Sequence, residues 1–138
     1  MRVQFALCAQ TASVDRATNR VSVFNVFDHL PVSSLPIVVP SVTFVSVIES
    51  EEAENNNISG AVEVEANNVP VFKVEVPINF TNNRLARVVL TFQGIPVRDT
   101  GSLTFRLTLP DGTIAETTFQ VMNVASKDAI QLATTDSA

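Results

Sequence analysis

From Val71 to Phe80 the chain reads VFKVEVPINF, and its large apolar residues recur at every second position. Phe72, Val74, Val76, Ile78 and Phe80 fall on one side, and Val71, Lys73, Glu75, Pro77 and Asn79 on the other. A period of two belongs to the β-strand, whose successive side chains point to opposite faces. Leu103, Phe105, Leu107 and Leu109 repeat it, with Thr104, Arg106 and Thr108 between them, and so do Ala86, Val88, Leu90 and Phe92. Strands that alternate with one polar face pair antiparallel and cover a core on one side only. No segment keeps a helical period for three turns.

Turn chemistry separates these runs. DRATNR (Asp15 to Arg20) lies between the first two strands, and the Asn pairs in ANN (Ala66 to Asn68) and TNN (Thr81 to Asn83) suit turns because Asn tolerates positive φ. PDG (Pro110 to Gly112) is the strongest hairpin signal, since proline pre-sets φ and glycine supplies a left-handed residue. The pattern predicts eight strands: Arg2–Ala9, Arg20–Phe27, Ile37–Glu49, Ile58–Ala66, Val71–Phe80, Leu85–Gln93, Ser102–Leu109 and Thr113–Asn123. Ile37–Glu49 is long, and Pro40 inside it should bend the strand or start it as an edge. The expected fold is all-β, an antiparallel immunoglobulin-like β-sandwich of about 7–9 strands. Residues 1–124 form the domain, and 125–138 a C-terminal tail or short helical turn.

Composition agrees. Valine dominates, with nine Phe and no Trp or Tyr, and branched and flat side chains fit a pleated surface. At 138 residues the chain is one domain's worth and long enough to bury a core. The net charge is −5, and no Lys or Arg occurs between Val21 and Phe72. Nucleic-acid binding needs a cationic face, so no nucleic-acid partner is expected. The one cysteine, Cys8, sits in an apolar strand where it serves as a small hydrophobe. The apolar run at Phe5–Ala9 is too short for a signal peptide, and no run approaches the ~18 residues of a membrane span. The expectation is a cytoplasmic protein without a membrane partner, in which the NIS and NFT glycosylation matches at Asn57 and Asn79 are chance.

Three places invite chemistry. Asp28 and His29, the latter the sole histidine, stand ahead of Ser33 and Ser34. On an extended strand neighbours point to opposite faces, so Asp28 and His29 should not pair. The serines lack the glycines of a nucleophile elbow. Asp28 should end the strand and His29 lie on an exposed loop rim. Glu49, Glu51, Glu52 and Glu54 supply carboxylates for a hard cation, but the spacing of a calcium loop is missing, and a solvated loop is the expectation. Arg98 and Asp99, bracketed by Gly94 and Gly101, read as an inter-strand connection. Asp28, His29 and Asp99 are the residues expected at any ligand or partner rim. No catalytic group, cofactor or metal site is expected.

VDRATNRVSVFNVFDHLPVSSLP (Val14 to Pro36) resembles the opening of a family of small bacterial proteins with no assigned activity. Val14, Asp15, Arg16, Thr18, Val26, Phe27, Asp28 and Pro36 match its pattern, and Asn19 stands where glycine is usual. The resemblance covers roughly the first third of the chain. It implies a one-domain bacterial β-sandwich, cytosolic, and brings no site residues. The functional expectation is a non-catalytic binding or structural module with a protein partner or a second copy of itself, such as a subunit of a bacterial or phage assembly. The alternative is a small-molecule or cation-binding sandwich, or a weak enzyme, using the loop end around His29 and the acidic Glu49–Glu54 segment.

Overall fold

The structure, a computed structural model, describes residues 1–18, 20–50, 57–80 and 84–124. Among them are nine strands and no helix: β1 (Arg2–Val14), β2 (Val21–Val26), β3 (His29–Val32), β4 (Ile37–Glu49), β5 (Asn57–Ala66), β6 (Val69–Asn79), β7 (Leu85–Val97), β8 (Gly101–Thr108) and β9 (Ile114–Asn123). The first sheet has the order β2-β1-β4-β7, and the second β3-β9-β8-β5-β6. The pairs are antiparallel except β3 with β9, which is parallel. The expected tail, 125–138, lies outside the described residues, as do Asn19 and the TNN turn.

The alternation read from the sequence packs as expected except at Val74, which is exposed, and Phe72, which is half-buried. Leu103, Phe105, Leu107 and Leu109 are buried, and so are Val76, Ile78 and Phe80 of the β6 face. Phe105 sits at the centre, with the rings of Phe44, Phe92 and Phe119 at centroid distances of 6.4, 5.5 and 6.1 Å. Phe44 and Phe92 belong to the first sheet and Phe105 and Phe119 to the second, so this cluster joins the layers. Phe27 stacks on Phe119 at 5.2 Å, and Phe72 reaches Phe92 at 6.2 Å. Burial of such rings supplies the largest apolar areas a core can gain. Cys8 is fully buried among them, and burial pushes its thiol well up.

β1 departs most from expectation. Its first half pairs with β4, from Arg2·Glu49 to Ala9·Thr43, while from Ala9 to Val14 it pairs with β2. The polar run QTASV is therefore strand, not turn, and forms a ribbon with β2. A bulge between Val3 and Phe5 shifts the phase. Val3 packs on the core, and beyond the bulge Ala6 and Cys8 face in. The Ser46 hydroxyl donates to the Phe5 carbonyl at 2.9 Å beside this irregularity.

Pro40 lies on an edge, and the inward face of β4 changes phase at it. β1 reaches only as far as Thr43, so the first half of β4 has β7 as its neighbour. Pro40 falls in register with Gly94, which has φ +77°, between the pairs Val39·Ile95 and Ser41·Gln93. The inward set on both strands changes phase there, from Val39 to Val42 and Phe44, and from Phe92 to Ile95 and Val97. Glycine tolerates the positive φ and proline needs no ladder bond, so the pair accommodates the change of phase.

The turns follow their residue types. Asn67 and Asn68 have φ of 50° and 66° in a two-residue hairpin loop between Ala66 and Val69. The Asp15 carboxylate takes the Ala17 and Thr18 amides, and that of Asp111 takes the Thr113 amide. These amides hold both carboxyls below their usual range.

Candidate functional site

Asp28 and His29 sit where the chain changes sheets. The Phe27 amide donates to the Cys8 carbonyl at 2.8 Å, which ends the pairing with β1. The chain bends at Asp28 and enters β3 at His29, in parallel register with Gln120 of β9. The expected proline-bracketed loop is therefore partly strand. β3 includes Pro31, an edge position where its missing N–H leaves no gap in a ladder. After a cis Leu35–Pro36 peptide the chain returns to the first sheet.

The expectation that Asp28 and His29 are poorly placed to pair is corrected. Nδ1 of His29 lies 2.8 Å from Oδ1 of Asp28. Alternation holds along extended strand, and the bend at Asp28 suspends it. His29 is 37% exposed and Asp28 83%, so the pair reaches solvent, with His29 at the start of strand β3 and not on a loop. Among the described residues the side-chain partner of His29 is Asp28, and no hydrogen bond joins Ser33 or Ser34 to it.

The acidic segment is described only at its start. Glu49 forms an ion pair with Arg2, so its carboxylate already has a cation. Glu51, Glu52 and Glu54 lie outside the described residues. Among those described, no group of three His, Cys, Asp or Glu could hold a metal ion.

Asp99 belongs to a different place. Arg98 to Thr100 connect β7 to β8, as the sequence indicated, at one end of the sandwich. Here the β5–β6 and β7–β8 turns enclose a cleft of about 430 Å³. Val97, Leu103 and Val121 form its buried floor, and Val69, Pro70, Val71 and Pro96 its apolar walls. Asn67 ties the turns together: its amide donates to the Ser102 carbonyl at 2.9 Å, its Nδ2 donates to the Thr100 carbonyl at 3.0 Å, and its Oδ1 accepts from the Ser102 amide at 2.9 Å. Gly101, at φ +129°, lets that side chain in, for a Cβ there would lie 1.8 Å from Asn67 Oδ1. Neither Asp28 nor His29 lines the cleft, so the three expected rim residues do not converge.

The outer faces of the two sheets are the other large surfaces. That of the second sheet is largely polar, though Ile114 and Met122 stand exposed on it. Arg106 joins Glu65 at 2.8 Å and Glu116 at 2.7 Å, and these carboxylates, Glu65 foremost, hold the guanidinium firmly charged. Lys73 pairs with Glu63 at 3.6 Å, and the Thr104 and Thr118 hydroxyls meet at 2.9 Å. That of the first sheet is apolar. The register puts Phe5, Leu7 and Ala9 of β1 beside Val47, Val45 and Thr43 of β4, with Val26 and Phe24 of β2 on the other side. Val89 of β7 continues the face past Val45. Val45 and Ala9 are buried at its centre, while Phe5 is 41% and Phe24 52% exposed. No other Phe among the nine is an exposed large apolar residue, so both such rings lie on one face. The register also places Arg87 there, and the Thr43 and Thr91 hydroxyls satisfy each other at 3.0 Å. Sequence reasoning missed this face because the bulge near Gln4 and the length of β1 decide it.

The chain is thus an all-β module of two packed sheets, with a polar and an apolar outer face and a cleft at one end. Among the described residues no helix is long and apolar enough to cross a membrane. The chain belongs to the family of unknown function DUF6941, whose model matches residues 4–122. No curated protein and no solved structure matches it.

Proposed function

We propose that the protein is a non-catalytic binding or structural module that works through protein–protein contacts, made by the outer face of its first sheet. The observation that carries this reading is that the two exposed phenylalanines, Phe5 and Phe24, share one face with Leu7, Val26 and Val89. The stripe from Phe5 to the position of Phe24 spans six residues of β1, roughly 20 Å at about 3.3 Å per residue. Contiguous apolar surface of that extent marks interaction sites on soluble domains, and aromatic anchors dominate the energy of interfaces. The partner is a second copy of the chain or another subunit of a bacterial or phage assembly, in the cytoplasm. We read the architecture as immunoglobulin-like, because a short edge strand pairs in parallel with the last strand of a two-sheet sandwich.

The test is light scattering after size exclusion, with a pull-down from the native lysate, on the wild type and on the Phe24→Ser/Val26→Thr variant. An assembly or retained partner that the variant loses supports the reading. A strict monomer that retains no partner overturns it.

A further inference from the structure

We propose that the cleft at the end of the sandwich binds a small zwitterion with a large apolar side chain, an apolar α-amino acid in chemical class. The apolar side chain would lie on Val97, Leu103 and Val121, its carboxylate on Arg98 and its ammonium on Asp99. Three observations carry this beyond the protein-contact reading, and none depends on it.

The first is size and lining. At about 430 Å³ the cleft falls within the ~300–1,000 Å³ of small-molecule sites, and it combines apolar walls with a few polar groups, as such sites do. The second is charge. Arg98 and Asp99 are consecutive, of opposite sign, and both line the cleft. Among the described residues neither has an ion pair or side-chain hydrogen bond. A guanidinium fork suits a carboxylate, and a carboxylate accepts from an ammonium. The third is preorganisation. Asn67 spends both ends of its amide holding the two turns together, and Gly101 has the backbone geometry that admits it. Walls fixed before a ligand arrives reduce the ordering cost of binding.

The competing occupants carry only one charge, and they define the test. Methyl and amide shifts of the isotope-labelled full chain are followed by NMR through the millimolar range of L-phenylalanine, 3-phenylpropionate and 2-phenylethylamine. L-phenylalanine is expected to shift Val69, Val71, Val97, Leu103 and Val121 saturably and more tightly than either single-charge compound. Arg98→Gln and Asp99→Asn are each expected to weaken it by about three- to fivefold, the size of an exposed ion pair. Both side chains are exposed, so circular dichroism melting should match the wild type. The proposal is overturned by an absence of saturable shifts with L-phenylalanine, by equal or tighter binding of a single-charge compound, or by affinity indifferent to both substitutions.

Discussion

The two outer faces of this sandwich use the same backbone and reach opposite solutions. On the second sheet the outward positions of β5, β8 and β9 carry Glu63, Glu65, Arg106 and Glu116, bound to one another or to Lys73. On the first sheet the outward positions of β1, β2 and β4 carry Phe5, Leu7, Ala9, Phe24, Val26, Val45 and Val47. A strand with one wet face alternates, and a strand covered on both faces reads as a continuous apolar run. β8 is the first kind: GSLTFRLT. β4 is the second: IVVPSVTFVSVIE. The difference is one of composition: the outward positions of the first sheet are largely apolar, whereas those of the second hold a connected ion network with Ile114 and Met122 exposed beside it.

That contrast can be broken in a graded way. Phe105→Ala removes the ring at which both sheets meet and should cost about 3–5 kcal/mol in chemical denaturation, the largest effect expected. It acts on both layers, so it sets the scale for changes confined to one face. Gly101→Ala comes next. It forces an L side chain into φ +129° and drives a Cβ into Asn67, at about 1–3 kcal/mol for the backbone alone. Asn67→Ala in the same background should recover part of that loss, because it removes the obstructing amide. Arg106→Gln breaks the three-strand ion network of the polar face, yet the arginine is partly solvated, so about 1 kcal/mol or less is expected, shrinking in salt. Smallest in stability is Phe24→Ser with Val26→Thr on the apolar face, at about 0.5 kcal/mol or less per site. If the faces are as different as described, this last variant leaves melting nearly unchanged and abolishes association, while Arg106→Gln leaves association intact.

Much of the fold was legible because periodicity and turn chemistry are local. The eight expected strands are all present, and alternation alone assigned the inward residues of β8 and those of β7 as far as Phe92; it missed Ile95 and Val97 beyond the phase change at Gly94, and it placed Val74 of β6 inward although that residue is exposed. The ninth, β3, was not, since HLPV is short, contains a proline and pairs with a strand some ninety residues away. The pairing of Asp28 with His29 was hidden for a related reason: a bend between sheets cancels the alternation rule at the residue where it was applied. Of the site, Asp99 was named and its connection recognised, but the cleft needs the Asn67 clamp, and nothing local ties Asn67 to Ser102, thirty-five residues on. The clue lay in two features, an Asn-Asn turn and a glycine at the start of a strand. The apolar outer face was obscured by the bulge between Val3 and Phe5, which turns Phe5 and Leu7 away from the core.

The most direct test of the account compares the wild type with Phe24→Ser/Val26→Thr by light scattering and partner capture at matched thermal stability. The account predicts that the wild type is held in an assembly, with itself or with a retained partner, and that the variant is released from it while melting as before. A wild type that is monomeric and retains nothing, or an assembly that survives the substitutions unchanged, contradicts it.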